Sequence, residues 1–345
     1  MTLSVLSIDK NLTRYFKKKF PERRESRISE VTSLAKGWET ELFSFVYTYK
    51  EELEVVVQNL ILRIYPGFNL ENKIKWEFDV LTSLFKAEYP VPETHILELN
   101  TDFFEYPFII MDTIIGIDMG ECFESDLQKN LVILSELFVE LHNLDWKILP
   151  TDLDKNESLA PVELIIRSIN KIEKIIEELQ IQDLYPLLKW LRRNKDEVNF
   201  ERISILHNDF HPHNILLSEK GKAYVIDWPA CSIGDYRQDL GWTLLLVGAY
   251  SSRELRDLVL KNYEDVLGSK VEDIEYFEIL AATRRIMDMV NFFGHSPEET
   301  GIRNEALEQI KETVFHLEYI SSFVKEVTGI SIPIFDDLIQ SLLID

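Results

Sequence analysis

Pro212 is the strongest local constraint in the chain. It stands inside the run His207-Asn-Asp-Phe-His-Pro-His-Asn214. A proline lacks the N–H that a helix interior needs and crowds the preceding turn, so this run must be an irregular loop. Ile215-Leu216-Leu217 then reads as a strand, and Tyr224-Val225-Ile226 repeats the pattern beyond the polar turn Ser218–Lys222. A β-hairpin on that turn folds the second strand back along the first and brings Asn214 and Asp227 to the same open end. Two hard oxygen ligands at one end suit Mg²⁺, which usually takes one or two protein groups beside phosphate oxygens and water. Asp209 is left as the group that accepts a hydroxyl proton.

This set of residues resembles the HxDxxxxN loop and later metal-binding Asp of protein kinases. Asp227 is followed here by Trp228-Pro229 and not by Phe-Gly, His211-Pro212-His213 precedes Asn214, and Gly234-Asp235 leads to Asp239-Leu240. In these features the chain is more similar to the aminoglycoside phosphotransferase and choline kinase family. That resemblance implies an α+β, two-lobed protein-kinase-like fold. Its parts would be an N-lobe with an antiparallel sheet and one helix over residues 1–111, a linker over 112–120, and a larger, mainly helical C-lobe over 121–345 that carries the catalytic loop and acceptor site.

The resemblance also implies roles. Asp209 would be catalytic, Asn214 and Asp227 would hold Mg²⁺, and ATP would donate the phosphoryl group. His207 would brace the loop, whereas His211 and His213 fit a structural or a functional place equally. A zinc site made of these three histidines is disfavoured, since no cysteine lies nearby at ligand spacing. Asp235 and Asp239 would support the loops or line the acceptor side, although carboxylates at a helix start also serve simply as caps. Asn208 and His213 stand where the family commonly has glycine.

Upstream, the pattern predicts a helix over Lys10–Phe20, strands at Val31–Ala35, Leu42–Tyr49 and Val55–Ile64, a helix over Leu70–Glu88, and strands at His95–Leu99 and Phe108–Met111. The basic run Lys17–Lys19 reads as a solvated helix face. Arg63 is the sharper feature, because a cation within an apolar strand is costly unless paired. Its family counterpart contacts the nucleotide phosphates, and Glu77 in the middle of the following helix is its natural partner. Gly37 would sit in the turn that covers phosphate, where a side chain would obstruct close approach. Met111 and Asp112 would lie at the start of the linker, where the base meets backbone groups.

The remainder carries helix-length patterns at Leu131–Leu144, Val162–Leu179, Leu184–Leu191, Leu240–Tyr250, Ser252–Val266, Ile274–Phe293 and Glu305–Val327. Acceptor recognition would draw on the last third, which contains Trp242, Glu275, Tyr276, Glu278, Asp288 and Phe292. The formal charge of −23 argues against a nucleic-acid partner, whose binding depends on neutralising phosphates. Its field would draw in a polycationic acceptor, or the charge serves only solubility; charge alone does not choose the substrate. Two cysteines make no disulfide framework and point to a reducing cytoplasm, and neither a signal peptide nor a membrane-spanning run is visible.

Together these readings predict an ATP- and Mg²⁺-dependent phosphotransferase acting on a hydroxyl of a small molecule, aminoglycoside-like or otherwise amine-bearing. The alternative is a catalytically inactive nucleotide-binding regulatory protein of the same fold. Protein kinase activity is disfavoured, as no Ala-Pro-Glu segment or separate activation loop follows Asp227.

Overall fold

The structure is a computed structural model and describes residues 4–34, 40–67, 69–151, 160–200, 202–294 and 314–344. The chain forms two compact units. One comprises Met1–Ile117 with Ile148–Thr151 and Ile215–Pro229, and the other comprises Asp118–Lys147, Asp152–Asn214 and Ala230–Asp345.

The first unit is built on an antiparallel sheet of order β1-β2-β3-β5-β4, with β1 at Arg24–Ser33, β2 at Glu41–Glu51, β3 at Glu54–Ile64, β4 at Thr94–Glu98 and β5 at Phe108–Asp112. Both faces of β3 are covered towards its end, which is why it reads as a nearly continuous apolar run. Leu60, Leu62 and Ile64 face the core shared with helix α1 (Val5–Lys19), which contributes Ile8, Leu12, Tyr15 and Phe16. Ile61 and Tyr65, on the opposite parity, join Ile109, Met111 and Ile74 of helix α2 (Glu71–Lys86). The alternation of a strand therefore delivers Arg63 to the α2 side.

Two boundaries move relative to the sequence pattern. Helix α1 starts at Val5, not Lys10, because the Ser4 hydroxyl accepts the Ser7 N–H at 3.3 Å and caps the extra turn. Strand β1 starts at Arg24, not Val31. Its register against β2 shifts between Arg24 and Arg27 and between Ser29 and Thr32, with Glu25 and Glu30 at positive φ, and such bulges erase the two-residue alternation. Lys17, Lys18 and Lys19 are exposed at the C-terminus of α1, where cations complement the helix dipole.

The expected hairpin is present. Strands β8 (Ile215–Ser218) and β9 (Ala223–Val225) pair Ile215 with Val225 and Leu217 with Ala223, on a turn closed by Ser218 and Lys222, with Gly221 at φ 78°. Ile226 falls outside β9. Strand β6 (Gly116–Asp118) extends this sheet in the order β6-β8-β9.

In the second unit a two-stranded antiparallel ladder, β7 (Ile203–Leu206) with β10 (Ser232–Asp235), is surrounded by helices. These are α3 (Met119–Cys122), α4 (Leu127–Asn143), α5 (Pro161–Glu178), α6 (Tyr185–Asn194), α7 (Arg237–Tyr250), α8 (Arg253–Leu267) and α9 (Ile274–Gly294), followed by Phe315–Thr328 and Pro333–Ile344. Helix α7 starts at Arg237, three residues before the pattern suggests, because Asp235 accepts the Arg237 backbone N–H at 3.1 Å. It is central and buried on nearly every side, so its sequence shows little amphipathic signal. At Gly241 a Cβ would lie 2.8 Å from the Phe277 backbone carbon, so only glycine lets α7 and α9 approach this closely.

Arg237 is wholly buried, yet it is satisfied. It binds both oxygens of Asp235 at 2.9 and 2.7 Å and donates to the carbonyls of Asn199 and Glu272. Much of the span expected to be helical over Glu305–Val327 lies outside the described residues, and the described part runs Phe315–Thr328. Among the described residues no helix is long and apolar enough to cross a membrane.

Candidate active site

The loop between β7 and β8 is held from one side by α7. The buried Asp239 carboxylate accepts the backbone N–H groups of His207 and Asn208, both at 2.7 Å. The Thr243 hydroxyl donates to the Phe210 carbonyl at 2.6 Å. Asn208 adopts φ 64°, a left-handed conformation that few side chains tolerate and asparagine tolerates best. Asparagine thus supplies the backbone geometry expected of a glycine there, and its amide also donates to Ala230 O and Ser232 Oγ. His213 is accommodated because Gly120 leaves room beneath its ring, where a Cβ would sit 2.3 Å from Nδ1. That nitrogen lies 3.0 Å from an Asp118 carboxylate oxygen.

Asp209 and Asn214 come together within this loop. The Asn214 amide nitrogen donates to the Asp209 carbonyl at 2.9 Å and lies 3.5 Å from Oδ2. His211 Nε2 is 3.6 Å from the same carboxylate oxygen, and the Trp242 indole donates to Oδ1 at 3.1 Å. Burial works to raise the Asp209 pKa, but His211, the Trp242 hydrogen bond and His207 together outweigh it and hold the carboxyl well below its ordinary range. A carboxylate held this firmly in its ionised form is a weak base but a good acceptor for aiming a hydroxyl. Burial lowers the pKa of His142 despite its contact with Asp239 at 3.4 Å.

The first unit holds the other group of expected residues. Arg63 Nη1 pairs with Glu77 at 2.9 Å and Nη2 with Asp227 at 2.8 Å, so one guanidinium bridges two carboxylates. Glu77 is fully buried, and its second oxygen accepts the Tyr65 hydroxyl at 2.9 Å. Burial opposes the Arg63 charge, but attraction to Glu77 and Asp227 prevails and the guanidinium pKa is pushed up. Tyr65, which the sequence reading left out, has the signal of an i+2 neighbour of Arg63 on the same side of the chain.

Asp227 has φ 67°, which is unusual for a residue other than glycine. Its neighbours impose this turn. Trp228 is fully buried and donates to the Val225 carbonyl at 3.1 Å, while the Val225 N–H donates to Pro90. The Asp227 side chain stays 44% exposed, with only Oδ1 engaged by Arg63.

Other expected residues fall elsewhere. Gly37 lies outside the described residues. The Met111 side chain packs into the α2 cluster, and the amides of Asp112 and Thr113 already donate to Glu93 and Asn59 carbonyls. The Asp112 carboxylate meets His95 Nε2 at 2.7 Å, and with Glu93 these residues place ligand atoms within 4.8 Å of one another. In α9, Glu278 is committed to Arg256 and Tyr276 to the Leu191 carbonyl, so both serve packing.

Comparison with known proteins places the chain in a family. The model of the phosphotransferase enzyme family (APH) matches residues 30–276. A thermostable mutant of aminoglycoside phosphotransferase APH(4)-Ia, solved with ADP and hygromycin B, superposes with TM-score 0.61 at 14% identity, covering 91% of this chain and 98% of that one. A Ralstonia eutropha JMP134 protein provisionally described as an aminoglycoside phosphotransferase gives 0.63 at 17%, covering 90% and 98%. Choline kinase LicA from Streptococcus pneumoniae gives 0.55 at 18%, covering 91% and 99%. No curated protein matches the chain by sequence. With its family model spanning well over half the chain, and a sheet-based unit followed by a mainly helical one, this protein belongs to the phosphotransferase enzyme family.

Proposed function

We propose that the protein transfers the γ-phosphoryl group of ATP to a hydroxyl of a small, amine-bearing molecule. The observation that carries this reading is Asp209: an ionised carboxylate, fixed by α7 on one oxygen and flanked by Asn214 on the other. In this reading Asp209 Oδ2 accepts the hydrogen bond of the acceptor hydroxyl and takes its proton late, since the transition state is loose and the main demand is alignment.

Asn214 and Asp227 would hold Mg²⁺. Asn214 directly precedes Ile215 and Asp227 lies two residues beyond Val225, the two partners that close the β8–β9 ladder. An amide oxygen and a carboxylate with a free oxygen are the hard donors this ion takes. When bound, the ion would offset phosphate charge during transfer. Arg63, with a bidentate fork already ordered by Glu77, would contact phosphate oxygens. Gly37 would complete the proposed nucleotide contacts, whereas the Met111 side chain and the Asp112 amide are committed within the first unit.

An amine-bearing acceptor is supported by the net charge of −23 and by relatives that bind hygromycin B or are choline kinases. Neither cysteine forms a disulfide, which is compatible with a reducing cytoplasm.

The test is an acceptor screen read by ADP release, spanning aminoglycosides, macrolides, choline-like amines and hydroxy amino acids. Mg²⁺-dependent release stimulated by one class is expected, with Asp209→Ala retaining ATP affinity and losing transfer. Wild-type turnover in Asp209→Ala would refute the assignment. Nucleotide binding with no Mg²⁺-dependent turnover under any acceptor would favour the nucleotide-binding regulatory protein.

A further inference from the structure

Three side chains on one stripe of α7 meet the catalytic loop. Asp239, Trp242 and Thr243 stand at i, i+3 and i+4, a spacing that places them on a common face. They meet the amides of His207 and Asn208, the carboxylate of Asp209 and the carbonyl of Phe210. Asp239 and Thr243 grip the main chain, whereas Trp242 bonds to the side chain of Asp209. An indole N–H is a donor only, so this 3.1 Å bond needs an unprotonated Oδ1.

Trp242 is itself braced. The Arg284 guanidinium lies 4.2 Å from the centre of the indole ring, a cation–π contact, and donates to the Asn208 carbonyl at 3.1 Å. Asp288, one turn further along α9, lies 3.9 Å from Arg284 Nε. One arginine therefore holds both the indole and the loop residue that precedes Asp209.

We propose that Trp242 is a positioning residue which ties down Oδ1 of Asp209 and leaves Oδ2 as the atom offered to the acceptor hydroxyl, with Arg284 as the clamp on both. This rests on the phosphotransfer reading above for its catalytic consequence, while the clamp itself is a property of the unliganded protein. Without the indole donor the carboxylate can turn about χ2, and its two oxygens exchange places beside His211 and Asn214. The acceptor hydroxyl then meets a distribution of orientations in place of one.

Trp242→Phe removes the donor and keeps an aromatic face for Arg284. In ADP-release kinetics, with the screened acceptor or as slow ATP hydrolysis, kcat should fall about ten- to a hundredfold, the effect of losing one hydrogen bond to a charged group. KM for ATP should stay within about twofold, because the lost contact does not touch the nucleotide. Unchanged kcat would overturn the proposal, as would a rise in KM for ATP equal to the fall in kcat.

A second measurement does not depend on turnover. In ¹⁵N-labelled protein the Trp242 indole resonance, assigned by its loss in Trp242→Phe, should shift in Asp209→Asn. A resonance indifferent to that substitution would also overturn the clamp. If the wild-type protein releases no ADP with any acceptor, the phosphotransfer reading fails, and the resonance still decides the contact.

Discussion

Replacing Asp239 with asparagine tests whether one buried carboxylate holds the loop that carries Asp209. Its side chain has no exposure and accepts two backbone N–H groups at 2.7 Å, from His207 on Oδ2 and from Asn208 on Oδ1. Hydrogen bonds to a charged partner contribute about 1.5–3 kcal/mol each. A carboxamide can keep one of them, weakened by loss of the charge, but its NH₂ must face the other backbone donor. Leaving that N–H unsatisfied in the interior costs about 1–3 kcal/mol, so Asp239→Asn should destabilise the helical unit by about 2–4 kcal/mol.

For a unit of this size that corresponds to a melting midpoint lower by about 5–15 °C in calorimetry. Because the loop also carries Asp209, kcat in ADP release should fall at least about tenfold below the melting range. A variant that melts within about one degree of wild type and turns over normally would show that Trp242 and Thr243 fix the loop without the carboxylate.

Glu77→Gln should weaken the first unit by about 2–4 kcal/mol in urea denaturation, since the Arg63 guanidinium then keeps only the half-exposed Asp227 as a charged partner. The same variant should raise KM for ATP, and an unchanged urea midpoint would remove Glu77 from the account. The His95–Asp112 pair should make stability pH-dependent. Its hydrogen bond to Asp112 raises the His95 pKa above 6.5, with Glu93 adding to the effect and burial and Arg23 opposing it. The folded state therefore binds the proton more tightly. The contribution is fully present below about pH 6.5 and is lost as pH rises through the raised value, by under about 1 kcal/mol for so exposed a pair. Comparing wild type with His95→Asn at pH 6 and pH 9 checks this, and a stability difference that grows with pH would contradict the sign.

The outline of the loop that carries Asp209 was legible because its signals are local. Pro212 bars an α-helix through the run and itself opens a single 3-10 turn, Pro212–Asn214, the hairpin follows from an apolar, polar, apolar pattern, and Asp209, Asn214 and Asp227 lie within one short stretch. Arg63 and Glu77 were legible for a different reason: an unpaired cation in a buried strand is too costly to leave unpartnered, and the next helix offers a carboxylate. The start of β1 was hidden because its bulges break the alternation on which strand recognition depends. Strands β7 and β10 were missed because each is only four residues long and its partner lies far along the chain, with no short turn between them to signal a hairpin as there is for β8 and β9.

What the sequence alone determined was the kind of chemistry, since residue type and close spacing along the chain already limit which groups can meet. Only the tertiary structure decided which partners those groups keep. The distances that bind Asp239 to residues 207 and 208, or Trp242 to Asp209, span some thirty residues. Helical periodicity shows that Asp239, Trp242 and Thr243 share a face, but not what that face meets. Packing around a helix buried on nearly every side supplies that answer, because its register is set by close approaches such as Gly241 against Phe277.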